Sequence, residues 1–122
     1  MVFTNEYMEP WAVKILKTIA TKPVVVDASK GVTMLKADPE DSAEHVHDGE
    51  HPQGWMDPHI WLDFTNAQIM VQNIADCLIA KDPANRYFYA ANAYAYQQRL
   101  AQLDDEYTQV ELCIVKTLGG LI

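Results

Sequence analysis

The chain has 122 residues, with 17 acidic against 9 basic side chains and a formal net charge of −8. That length suits one modest domain with its own core rather than two, and a hydrophobic fraction of 49% excludes wholesale disorder. The acidic balance argues against nucleic acid or an anionic membrane surface as partner and favours the approach of cations. No apolar run nears the roughly 20 residues of a spanning helix, and no signal peptide precedes the first structured segment. An exported form would therefore need a targeting segment outside these residues. Cys77 and Cys113 are far apart and in no metal-like spacing, so both read as buried or inert thiols.

In chain order, Met1-Val2-Phe3-Thr4 reads as the tail of a strand. From Glu6 to Ala20, Met8, Ala12, Ile15, Leu16 and Ile19 recur at three- and four-residue intervals and predict an amphipathic helix. Pro10 fits only its first turn, and Thr21-Lys22-Pro23 ends it. Val24-Val25-Val26 predicts a short strand buried on both faces. Asp27 to Gly31 turns the chain, and Val32 to Leu35 forms a brief second extended piece. This is the rhythm of a parallel α/β sheet, with partner strands still to be found.

Lys36 to Gly54 is a polar, acidic loop, long enough to suggest a function. After Asp63, Thr65 or Asn66 caps a helix running to about Lys81, with an apolar stripe of Met70, Ile74, Cys77 and Leu78 and with Ile69 beside it. Asp82-Pro83-Ala84-Asn85 breaks that helix and starts a longer one, from Pro83 to about Glu111. Tyr96, Leu100, Leu103, Tyr107 and Val110 alternate as in a helix packed along one side. Tyr87, Phe88, Tyr89, Tyr94 and Tyr96 crowd its first half and read as core and interface packing rather than a ligand cage. Residues 113–122 look like a chain cut short at a strand, or a tail.

All four histidines fall between positions 45 and 59, among carboxylates. Imidazole is the commonest ligand for zinc and related metals. His59 sits in Met56-Asp57-Pro58-His59-Ile60-Trp61-Leu62-Asp63, where Pro58 restricts the backbone. Asp57 and Asp63 can each accept a hydrogen bond from the imidazole nitrogen facing away from a metal; Asp63 reads equally as a helix cap. Trp55 and Trp61 exclude water or simply pack. His45, His47 and His51, with Glu44, Asp48 and Glu50, form a second cluster. A loop must be ordered to bind, so that cluster is a weaker, auxiliary metal trap or else a solvated loop. Catalytic zinc needs three protein ligands and an open position, and no H-E-x-x-H, C-x-x-C or G-x-S-x-G motif is present.

Asp57-Pro58-His59-Ile60-Trp61-Leu62-Asp63 resembles the D-P-H-x-W-x-D-P motif of the solute-binding proteins of zinc and manganese ABC importers. Glu9-Pro10-Trp11, Val25-Val26-Asp27-Ala28-Ser29-Lys30-Gly31-Val32, the histidine-rich loop, and Asp82-Pro83-Ala84-Asn85 with Tyr89, Asn92-Ala93 and Tyr96 are similar to that family in the same order. Phe64 departs from the motif's proline, and Asn5-Glu6 stands where Asn-Gly is common. The likeness extends to about Tyr107.

The resemblance implies an incomplete α/β fold: a partial parallel-sheet lobe with flanking helices plus a long linking helix. Residues 1–82 would be part of a first, metal-binding lobe carrying a histidine-rich loop at 43–54. Residues 83–112 would be the linking helix, and 113–122 the start of a second lobe or a tail. His59 matches a primary histidine ligand, while His45, His47 and His51 match the auxiliary loop of zinc members. The remaining primary ligands fall outside this chain. The implied role is non-enzymatic: capture of a divalent cation, zinc before manganese because loop nitrogens suit zinc, and delivery to a membrane permease in the periplasm or another extracytoplasmic space. Two other readings are a helical, self-associating interaction module and a zinc hydrolase.

Overall fold

The computed structural model describes residues 1–21, 23–36 and 56–119, and of 116–119 the backbone alone. Two short parallel strands, β1 (Val2–Phe3) and β2 (Val26–Asp27), pair with Val2 opposite Val26 and Phe3 opposite Asp27. Helix α1 (Pro10–Thr18) connects them, as a parallel pair requires. Then come a 3-10 turn at Ile60–Leu62, helix α2 (Phe64–Lys81), a second 3-10 turn at Pro83–Asn85, and the long helix α3 (Arg86–Gly119). This is the expected partial α/β lobe with a long helix attached.

The differences from expectation have local causes. Helix α1 begins at Pro10 rather than Glu6, because proline favours the first helical position and residues 6–8 form a separate turn before it. That turn is closed by Asn5, whose backbone carbonyl accepts from Glu9 N at 3.0 Å and whose side-chain Oδ1 accepts from Met8 N at 2.8 Å. Of the Val24-Val25-Val26 run only Val26 joins a strand and is buried; Val24 and Val25 are 40% and 41% exposed. The expected two-faced burial fails because, among the described residues, the sheet has only two strands. Val32 to Leu35 forms no strand, although Lys36 bridges Met56 in antiparallel fashion.

Asp27 does turn the chain. Its Oδ1 accepts from Ser29 N (2.9 Å) and Ser29 Oγ (2.6 Å), and Gly31 adopts φ +81°, a conformation other residues rarely take. Asn73 on α2 clamps this turn by donating from Nδ2 to the carbonyls of Ala28 (2.9 Å) and Lys30 (2.8 Å).

Helix α2 starts at Phe64, ahead of the expected caps Thr65 and Asn66. Asp63 is the N-cap, and its Oδ1 accepts from Asn66 N at 3.0 Å. At its other end, Asp82 accepts from Asn85 Nδ2 (2.7 Å) and from the Tyr89 hydroxyl (2.9 Å), which ties the corner between α2 and α3. Ala93 is buried and Gln97 donates to the Gln68 carbonyl at 3.0 Å, while Tyr107 packs its ring 5.6 Å from that of Phe64. The face of α3 that meets α2 therefore runs through Tyr89, Ala93, Gln97 and Tyr107. Most of the expected aromatic core is instead exposed, with Tyr87, Phe88, Tyr94 and Tyr96 on the open side of the helix. Helix α3 also runs past 112 to Gly119, so residues 113–119 continue the helix rather than open a strand. Among the described residues, no helix is long and apolar enough to cross a membrane.

Candidate metal centre

His59 stands immediately before the 3-10 turn, between the end of the long loop and the start of α2. Asp57 organises it. A single oxygen, Asp57 Oδ1, accepts from the His59 backbone amide at 2.9 Å and contacts the ring at Nδ1 at 2.7 Å. The backbone hydrogen bond from His59, reinforced by the ring contact, holds the Asp57 carboxyl below its ordinary value of 3.8 against a smaller opposing effect of burial. An ionised carboxylate can only accept, so Nδ1 carries the proton and donates. The other ring nitrogen, Nε2, then presents its lone pair, as a metal ligand must. The ring remains half exposed, and Trp61 meets it edge to face at 5.4 Å.

A cleft of about 200 Å³ opens at this point, lined by Thr33, Leu35, Asp57, His59, Ile60, Leu62, Asp63 and Asn66. Two strands of contact hold its walls. Asp57 N donates to the Leu35 carbonyl at 2.8 Å, next to the Lys36–Met56 bridge. Asn66, almost wholly buried, grips Thr33 from both sides: Oδ1 accepts from Thr33 N (3.0 Å) and Nδ2 donates to Thr33 O (2.9 Å). The chain on either side of residues 37–55 is thus drawn together beside His59.

Of the sequence candidates, the structure brings Asp57 and His59 together. Asp63 lines the same cleft but spends its carboxylate capping α2, so of the two roles open to it the structure shows the cap. Trp61 walls one side of the ring, whereas Trp55 and the loop residues His45, His47 and His51 lie outside the described residues. Among the described residues no three histidine, cysteine, aspartate or glutamate side chains form a cluster able to hold a metal ion. A tetrahedral zinc site needs four donors, or three and a water, so the described residues bring together one candidate histidine donor and a carboxylate hydrogen-bonded to it rather than a complete site. Sequence reasoning missed two residues that hold the segments around this cleft: Asn66, whose amide pairs with Thr33, and Asn5, whose Nδ2 donates to the Pro58 carbonyl at 3.1 Å. Their signal was faint: Asn66 reads from sequence only as an alternative helix cap, and Asn5 only as the first residue of Asn5-Glu6, where Asn-Gly is common.

The chain is 34% identical over 109 residues to the zinc-binding lipoprotein AdcA of Streptococcus pneumoniae strain R6, covering 88% of this chain and 22% of that protein. It is 38% identical over 107 residues to the high-affinity zinc uptake system protein ZnuA of Bacillus subtilis, covering 87% and 34%. The manganese ABC transporter substrate-binding lipoprotein PsaA of S. pneumoniae is 44% identical over 70 residues, 57% of this chain and 23% of that one. Among solved structures, the Zn(II)-bound ZnuA-like domain of S. pneumoniae AdcA superposes with a TM-score of 0.67 at 32% identity, over 88% of this chain and 35% of that one. The chain therefore spans between about a fifth and a third of the length of these relatives. The model of the ZnuA family, zinc-uptake complex component A periplasmic, matches residues 1–112, and the chain belongs to that family.

Proposed function

We propose that the chain contributes one wall of a divalent-metal site in the solute-binding component of an ABC importer, with zinc as cargo and manganese as the alternative. The carrying observation is the Asp57–His59 pair, in which the carboxylate accepts a hydrogen bond from Nδ1–H and leaves the Nε2 lone pair free for ligation. Support comes from the zinc-binding names of AdcA and ZnuA, while the manganese name of PsaA keeps the second metal open. His59 is the primary ligand, and His45, His47 and His51 act as auxiliary donors, as their histidine-rich acidic sequence suggests. Residues 1–82 form part of the metal-binding lobe and α3 the linking helix. The role is capture and delivery to a membrane permease outside the cytoplasmic membrane, without catalysis.

A second reading, a helical interaction module, draws on the exposure of Tyr87, Phe88, Tyr94 and Tyr96 along α3. Calorimetric zinc titration of the wild type, of His59→Ala and of a variant lacking residues 44–51 separates the two. The metal reading requires zinc binding that weakens in both variants, with no turnover of ester or amide substrates. Zinc-independent dimerisation without zinc uptake would favour the interaction module, and hydrolysis that depends on zinc would mark a hydrolase.

A further inference from the structure

Asn5 is only 1% exposed, and its amide joins two parts of the chain 53 residues apart. Oδ1 accepts from Met8 N at 2.8 Å and so closes the turn ahead of α1. Nδ2 donates to the carbonyl of Pro58 at 3.1 Å. That carbonyl also accepts from Ile60 N at 2.9 Å, and it belongs to the peptide unit that carries His59 N. Asp57 Oδ1 grips the same short segment from the other end, through the His59 amide and ring. Asp57 therefore sets the imidazole's rotation, while Asn5 sets where the backbone of His59 stands relative to the β1–α1 edge. Nothing in α1 capping requires the second bond: an acceptor alone would serve Met8 N.

We infer that Asn5 is a positioning residue for the metal site, acting through the Pro58 carbonyl to hold His59 at its place in the cleft. This rests on the reading of His59 as a metal ligand. Because ligation demands a donor within tenths of an ångström of its ideal distance, loosening the residue that anchors the ligand weakens binding without removing any ligating atom.

The test uses the 122-residue chain and zinc alone as probe. Asn5→Ser keeps an oxygen able to accept from Met8 N but cannot reach Pro58; Asn5→Asp keeps the acceptor at full reach and removes the donor. Both should retain the far-ultraviolet helix signal and bind zinc about three- to tenfold more weakly, the scale of one net hydrogen bond. In both, the His59 imidazole nitrogen resonances should shift in the metal-free protein, which a purely structural cap would not cause. Wild-type affinity and unmoved His59 resonances in folded Asn5→Ser would overturn the inference. If both variants unfold, the wild type decides: on zinc addition the Asn5 side-chain amide resonances should move in step with those of His59, and amide resonances that stay fixed while His59 shifts contradict it. Should His59→Ala bind zinc as tightly as the wild type, the metal reading itself fails, whatever Asn5 does.

Discussion

Asp57 and His59 are joined twice through one oxygen: the His59 backbone amide and ring Nδ1 both point at Asp57 Oδ1, at 2.9 and 2.7 Å. The side chain that fixes the tautomer also fixes the local backbone, so the ring's free nitrogen is aimed before any metal arrives. Asp57→Ala should therefore weaken zinc binding about 10- to 100-fold, the usual effect of losing a carboxylate behind a ligating histidine. Calorimetry at pH 7 checks this against His59→Ala, which should weaken binding at least as much.

Asp63 offers a contrast at close range. It lines the same cleft, yet its carboxylate caps α2 through Asn66 N. Asp63→Ala should cost about 1 kcal/mol of stability, read from the urea midpoint, and change zinc affinity far less than Asp57→Ala. Equal losses of affinity in the two variants would return Asp63 to the role of a ring partner.

The paired amide of Asn66 predicts a larger stability effect. Asn66→Ala removes both hydrogen bonds to Thr33 and should destabilise the chain by about 1–3 kcal/mol, measured by urea unfolding. Asn66→Asp keeps the acceptor for Thr33 N but sets a carboxylate against the Thr33 carbonyl, so it should not restore stability.

Two carboxyls give the acid response. Hydrogen bonds from His59 lower Asp57, and hydrogen bonds from Asn85 and Tyr89 lower Asp82, each from an ordinary value of 3.8. Each therefore ionises more readily folded than unfolded. The stability they add is present above about pH 4 and is lost as pH falls through their lower folded values. Tyr89, raised by its bond to Asp82, adds stability that is full below its ordinary value of 10.0 and is lost as pH rises past it. Tyr89→Phe should consequently lower the melting temperature at pH 7, and lower it progressively less as pH falls through the folded value of Asp82.

Much of the fold was legible because proline and the aspartate caps leave strong local marks. Asp82-Pro83-Ala84-Asn85 dictates the corner before α3, whereas the apolar stripe alone started α1 too early, at Glu6 instead of Pro10. Periodicity was less informative. It grouped apolar residues into stripes but said nothing about whether a partner exists among the described residues to cover them, and of the α3 stripe Tyr107 meets Phe64 while Tyr96 stays exposed. Hence Val24, Val25, Tyr94 and Tyr96 remain exposed where burial was expected. At the site, Asp57 and His59 were readable because they are two residues apart. Asn5 was not, because its bond to Pro58 crosses 53 residues and no local pattern encodes it.

The central claim is that His59 ligates zinc through Nε2 while Asp57 holds Nδ1 protonated. Long-range proton–nitrogen correlation of the histidine rings during zinc addition tests it most directly. The account predicts that His59 Nε2 shifts on binding while Nδ1 keeps its proton. Coordination through Nδ1, or saturation with zinc that leaves His59 unmoved, would contradict it.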